Sequence, residues 1–395
     1  MTEIQLLAIQ DKIIDILGKR FFSPQEVLYD YAGMNGEVIL PTPEECDRSI
    51  PNGLSWHTPV SNGAFFNGDL LLAVVKIYEK YPSEKLAAFA RRLLKGLFNL
   101  QDHAPVPAFI ARGFGSDGKC CYLGSSNDQI TPFLLGLRSF SESSLATSEE
   151  RADCQQRMLN LIHPLRALNW HIPGAKPGFE RGDLSCAGAF DACHLMLAAL
   201  ILEKEGGEKG SVDRYLKDRF DILAAGYGQM RPNECWYASH NFYIQRMLKE
   251  FYTGTPVAAA LDSGLKITAQ ACLNALEEWK KRVPDALFSP DWHCMNSVWF
   301  EQKNTADAVK CAAGGQGRIW REHSPAVLGE RKSTMAALSA AWIILFSEDQ
   351  PTIETAMPRI CEALQEIPYE KLYHASMFFA VNVISEMLCR KESDK

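Results

Sequence analysis

Apolar residues recur along most of the chain at intervals of three and four, the spacing of a helix with one buried face. On that period the sequence predicts about twelve helices, at residues 4–18, 67–80, 83–101, 127–141, 145–169, 183–204, 211–227, 238–253, 256–281, 330–347, 351–366 and 369–390. Strand-like patterns are confined to two short stretches within loops, Lys119–Leu123 and Ser297–Phe300. The predicted class is all-α.

The connections carry a second pattern. Short links at Tyr81-Pro82, Ser141–Ser144, Gly206-Gly207, Gly254 and Glu348-Asp349 alternate with long ones at residues 19–66, 102–126, 170–182, 228–237 and 282–329. Only the short last link, Ile367-Pro368, breaks the alternation. A tight turn joins antiparallel helices at one end of a hairpin. Hairpins turned the same way gather every long loop at the opposite end. The expectation is an (α/α)6 toroid of six helical hairpins with inner and outer rings. The inner helices would start near residues 67, 127, 183, 238, 330 and 369. Small-residue runs at two of those starts, Ser185–Ala189 and Met335–Ala341, permit close helix approach. An open solenoid of helix pairs is the alternative, but no fixed-period repeat supports it. Without a linker-like stretch, residues 1–395 are read as one domain with a long loop insertion at about 282–329.

Composition narrows the picture. The 395 residues are 47% hydrophobic and 23% charged, enough for a core without staples or metals. A net charge of −7 arises from mixed signs, with no basic run suited to nucleic acid or lipid headgroups. The apolar run Ala336–Phe346 is too short to span a bilayer. Met1–Arg20 lacks the parts of a secretory leader, so the chain as given is expected in the cytoplasm. Twelve scattered cysteines contain no CxxC pair and read as reduced, buried small hydrophobes. No cofactor and no metal is expected, since Gly314-Gly315-Gln316-Gly317 lacks P-loop or dinucleotide-binding spacing and no HExxH or GxSxG occurs. Oligomeric state leaves no mark in the sequence.

Candidate chemistry concentrates in the long loops and the helix starts after them. Five of the eight tryptophans fall there: Trp56, Trp236, Trp292, Trp299 and Trp320. An indole can cover the flat C–H face of a sugar ring while its N–H stays paired. Each ring could equally pack its loop onto the bundle. Asp128 opens the helix after residues 102–126 and is the leading candidate for a general acid, since a half-buried carboxyl tends to hold its proton. Helix-start acids are also ordinary caps and first-turn residues. Asp69 and Asp183 share that ambiguity, and Asp191 could pair with His194 three residues on. His240 is a further catalytic candidate, and His57, His293 and His323 join the rim of expected substrate contacts. Asn62, Gln129, Arg112, Arg181, Arg318 and Arg321 complete that rim, the arginines being suited to a sugar carboxylate.

Two segments carry a resemblance. Asn62–Ala73, an aromatic pair followed by Gly and an apolar run, is similar to the first inner-helix segment of the six-hairpin glycosidase superfamily. Asp128–Leu134 resembles the stretch where its unsaturated glucuronyl and rhamnogalacturonyl hydrolases carry an Asp ahead of Pro-Phe-Leu, with a different Asp-to-Pro spacing. The resemblance implies a glycoside hydrolase in which Asp128 protonates an unsaturated uronyl sugar and activates the water that adds to it. Those hydrolases place a second Asp just before the aromatic pair, where this chain has Asn62 and Gly63. Asp69 or Asp183 would then supply the second acid. Two other readings stay open: a sugar epimerase or polysaccharide lyase, using His240 and His323 with Tyr237, and a non-catalytic saccharide-binding protein. An oligosaccharide is the expected partner in each.

Overall fold

The structure, a computed structural model, describes residues 1–185, 188, 191–298 and 302–390. Cys186, Ala187 and Ala189 of the small-residue run lie outside the described residues, as do Trp299 and Phe300. The described residues are all-helical, with isolated bridges in place of strands; Lys119–Leu123 is irregular, and His293–Val298 is a 3-10 turn.

The helices run in the order α1 (Glu3–Arg20), α2 (Pro43–Asp47), α3 (Gly63–Lys80), α4 (Glu84–Asp102), α5 (Asn127–Glu142), α6 (Ser148–Ala167), α7 (His194–Lys204) and α8 (Ser211–Ala225). They continue with α9 (Cys235–Phe251), α10 (Pro256–Cys272), α11 (Thr305–Ala313), α12 (Gly315–His323), α13 (Pro325–Phe346), α14 (Gln350–Glu366) and α15 (Phe378–Cys389). Several boundaries shift the expectation. The helix expected from residue 183 begins at His194, and the one expected from 369 begins at Phe378 after the 3-10 turns Tyr369–Lys371 and Ala375–Met377. The helix expected over 256–281 ends at Cys272 and continues as 3-10 turns, and the supposed loop 282–329 contains α11, α12 and the first turn of α13.

Two kinds of helix emerge. One kind is amphipathic, and α1, α4, α6 and α10 among it start on a side-chain cap. Thr2 and Thr147 close capping boxes with Gln5 and Glu150, Ser83 accepts from the Leu86 N–H, and Thr255 accepts from that of Ala258. The other kind is buried nearly all round, as in Gly63–Val75 of α3 and Ser333–Phe346 of α13, and its start carries no side-chain cap. α5, α7, α9 and α15 likewise start without a side-chain cap. The buried helices follow one another in contact. α3 packs on α4, α5 and α15; α5 on α6 and α7; α7 on α8 and α9; α9 on α10 and α13; α13 on α14 and α15; and α15 on α1. One continuous apolar core runs through them.

A smaller cluster forms where the long loops meet the insertion, around Tyr31, Ile50, Trp292, Met295, Trp320 and Val327. All described cysteines are free thiols, and Cys46, Cys154, Cys193, Cys235, Cys272 and Cys311 are buried. No described helix is long and apolar enough to cross a membrane.

Candidate active site

A cavity of about 590 Å³ opens at the starts of the buried helices. Its wall takes Asn62 from the residue before α3, Ser126, Asn127 and Asp128 from the start of α5, and His194 from the start of α7. Trp236 and Tyr237 come from the first turn of α9, and Arg331 from α13. Long loops add Trp56, Arg112, Arg181 and Asp191, and α11 closes one side with Val309.

Close backbone approaches fix this geometry. The Gly63 N–H donates to the Arg112 carbonyl at 2.7 Å, and a Cβ on Gly63 would come within 2.5 Å of that oxygen. Only glycine lets α3 start against the Arg112 loop. Gly182 holds φ at +72°, which a side chain would strain, and a Cβ there would also meet Asn127 Oδ1 at 2.9 Å.

Arg112 is almost wholly buried. It donates from Nε to the Gly124 carbonyl at 3.1 Å, from Nη1 to that of Ser61 at 3.0 Å, and from Nη2 to the Ser126 hydroxyl. Its Nη2 lies 3.8 Å from Asp128 Oδ1. Burial lowers the guanidinium pKa to about 10, with Asp128 acting in the opposite direction, so Arg112 stays charged at neutral pH. Arg181 lies over the Trp56 ring at 4.6 Å and Arg331 over the Trp236 ring at 4.7 Å, each as a cation–π pair. Among the described residues neither has a carboxylate within ion-pair distance. Burial lowers both pKa values, and Asp128 pulls both back up.

Asp128 is the carboxylate these cations surround. Burial pushes its pKa up, but Arg112, the Ser126 hydroxyl, Arg181 and His240 outweigh that and leave it below its ordinary value. The sequence expectation of a proton-holding acid at Asp128 is therefore corrected. Burial alone would raise a carboxyl, but two guanidiniums, a hydroxyl donor and His240 favour its charged form.

Two histidine–carboxylate pairs lie at different depths. His194 lines the cavity, with Nε2 at 3.0 Å from Asp191 Oδ1 and Nδ1 at 2.7 Å from Thr131 Oγ1. His240 and Asp69 are fully buried, joined at 2.9 Å between Nε2 and Oδ2, and do not line the cavity. Burial raises the Asp69 pKa, and His240 opposes the rise. His240 Nδ1 and Asp69 Oδ1 find no hydrogen-bond partner among the described residues.

The structure thus brings Trp56, Asn62, Arg112, Asp128 and Trp236 together at the cavity. Gln129 sits directly behind, with Nε2 at 3.4 Å from Asn62 Oδ1 and 3.5 Å from Asp128 Oδ2. Other candidates are placed elsewhere. Asp183 accepts from the Ser185 hydroxyl at 2.9 Å and faces His171, outside the lining set. Trp292 is wholly buried and donates to the Ile39 carbonyl at 2.8 Å, and Trp320 packs in the same small cluster with His57 against its ring. His293 is tied between Glu45 at 2.8 Å and Asp291 at 2.9 Å. Arg321 and His323 are exposed on α12, as is Arg318, which pairs with Glu322.

No family model matches the chain, and neither curated proteins nor solved structures give a match. The site is therefore read from its own chemistry. Among the described residues no group of three or more His, Cys, Asp or Glu side chains is placed to hold a metal ion.

Sequence reading passed over Arg331 and Asp30. Arg331 stands in the charged run Glu330-Arg331-Lys332 ahead of an apolar helix, a signal that was present. Asp30 is a lone acid in the first long loop with no local signature. It is buried and accepts from the backbone N–H groups of Ser61 at 3.0 Å and Asn62 at 2.8 Å, and from Asn62 Nδ2 at 2.5 Å. Burial raises its pKa to about 6, against those donors and Arg331.

Proposed function

We propose that this chain is a glycoside hydrolase-like enzyme acting on an acidic oligosaccharide, with Asp128 as its base. The carrying observation is Asp128 beside buried Arg112 in a cavity where Arg181 and Arg331 lie over tryptophan rings without carboxylate partners within ion-pair distance. Tryptophan faces suit sugar rings, and a guanidinium fork suits a sugar carboxylate. In this reading Asp128 takes a proton from the attacking water. Asp191, which lines the same cavity and is held by His194, is the carboxyl that would give one to the leaving sugar oxygen.

The same reading takes the architecture to be a six-hairpin (α/α)6 toroid. In support, the contacts α3–α5–α7–α9–α13–α15 return to α3, and each of these six helices also packs on one of α4, α6, α8, α10, α14 and α1. The cavity then occupies the mouth of the inner ring, where the uncapped helix starts meet.

A lyase or epimerase on this scaffold is the second reading, favoured by Tyr237 lining the same cavity as the arginines. Guanidiniums would stabilise the enolate of a uronate after Asp128 removes the neighbouring proton. His240 and His323, the bases first considered for this chemistry, are a sealed core residue and an exposed one.

One assay separates the readings. Unsaturated uronyl disaccharides and saturated uronate oligosaccharides are incubated with the protein while the ultraviolet absorbance of the uronyl double bond is followed. Hydrolysis of the former lowers absorbance, and elimination on the latter raises it. Asp128→Asn is expected to slow either reaction by about 10²–10⁴-fold. Undiminished turnover in that variant would remove Asp128 from the mechanism.

A further inference from the structure

Running from behind the cavity wall into it, four side chains form one line of hydrogen bonds: Asp30, Asn62, Gln129 and Asp128. Asn62 Nδ2 donates to Asp30 Oδ2 at 2.5 Å, and Asn62 Oδ1 accepts from Gln129 Nε2 at 3.4 Å. The same Gln129 Nε2 lies 3.5 Å from Asp128 Oδ2. Asp30, Asn62 and Gln129 are buried. An amide has one donor end and one acceptor end, so the direction of such a line is set wherever one member is acceptor-only. An ionised carboxylate is acceptor-only. Asp30 already receives the backbone N–H groups of Ser61 and Asn62 on Oδ1, which leaves Oδ2 for the Asn62 amide.

We propose that Asp30 is a positioning residue for Asp128, fixing through Asn62 and Gln129 which end of each amide faces the cavity. With Asp30 ionised, Asn62 turns its NH₂ inward and its carbonyl to Gln129. Gln129 then turns its NH₂ to both Asn62 and Asp128. With a proton on Asp30 Oδ2, the carboxyl becomes a donor and satisfies the Asn62 carbonyl instead. Both amides then reverse, and Gln129 offers Asp128 its carbonyl, which a carboxylate cannot use. A proton moved on or off Asp30 is thereby felt at Asp128.

The surrounding groups leave Asp30 as the member that titrates. Arg331 on α13 and Arg112 face it as permanent cations. Tyr31 beside it is pushed far above its ordinary range by burial. His374, whose neighbour Ala375 donates to the Asp30 carbonyl, is driven down to about 3 by burial and Arg331, so it stays neutral. At the other end Asp128 faces Arg112, Arg181 and His240, and lies below its ordinary range.

The proposal rests on the reading above only in taking this cavity as the functional site. Its test uses no substrate, so its failure and that of the hydrolysis assay are distinguishable. Side-chain amide signals of Asn62 and Gln129 are recorded by ¹⁵N NMR on the full chain and assigned with Asn62→Ser and Gln129→Met. The expected result is a joint shift of both amides on titration from about pH 5 to about pH 8, with one midpoint near the Asp30 value of about 6. The shift should persist in Asp128→Asn and vanish in Asp30→Asn. Asp30→Glu, kept as a second variant against misfolding of the first, should move the midpoint. Pair signals that stay constant across the range, or an Asn62 shift that Gln129 does not share, would overturn the proposal.

Discussion

Two aromatic regions built from the same long loops read alike in the sequence and differ in space. Trp56 and Trp236 stand half-buried at the cavity, each with a guanidinium over its face. Trp292 and Trp320 lie buried among Tyr31, Ile50, Met295 and Val327, and the Trp292 N–H is spent on the Ile39 carbonyl. The first pair carries a cation on each ring, and the second pair fastens the insertion to the first long loop. An indole in a loop is therefore not by itself evidence of a sugar platform. What separates the two pairs is a charged partner without a carboxylate of its own.

Substitutions can break that contrast. The largest effect is expected at Trp292→Ala, about 3–5 kcal/mol of unfolding free energy from the lost ring and the void it leaves, read by denaturant titration. Uronate binding by the folded fraction should survive. A smaller effect follows from Asp30, whose folded-state pKa of about 6 lies above its unfolded value. Such a group favours folding at low pH, and its contribution is lost as pH rises from about 4 to about 6. The stability difference between wild type and Asp30→Asn should shift by roughly 2–3 kcal/mol against wild type across that window. Matching pH profiles for the two proteins would contradict the buried carboxyl. Arg331→Ala should weaken a uronate disaccharide about 10–100-fold, the loss expected for one charged hydrogen bond to the ligand. Trp56→Leu should cost less, up to about tenfold in the same titration, since it removes a sugar-facing ring and the support of Arg181.

The helical class and most helix positions were legible because burial imposes a period on the sequence. Thr2, Ser83, Thr147 and Thr255 even mark helix starts to within a residue or two. Legibility fell where the chain turns inward. The long link expected at 282–329 in fact holds two short helices, with Asn304 capping α11 through the Asp307 N–H and Gly315 starting α12. The cavity was legible in part. Asp128, Arg112, Arg181 and Trp236 announce themselves as polar or aromatic residues in the long loops or at the helix starts that follow them. Asp30 does not, because its role is made by Ser61 and Asn62, about thirty residues away. The charge state of Asp128 was misjudged for the same reason: it is set by Arg112, Arg181 and the Ser126 hydroxyl converging in space. The small-residue run at Cys186–Ala189 falls largely outside the described residues.

The central claim is that two tryptophan-backed arginines make this cavity an anionic-sugar site. Calorimetric titration of a glucuronate-containing disaccharide and its neutral glucose counterpart tests it most directly, on wild type and on the Arg181→Ala/Arg331→Ala double variant. The account predicts that wild type prefers the acidic sugar at least tenfold and that the double variant loses this preference. Equal affinity of wild type for both sugars, or an undiminished preference in the double variant, would contradict it.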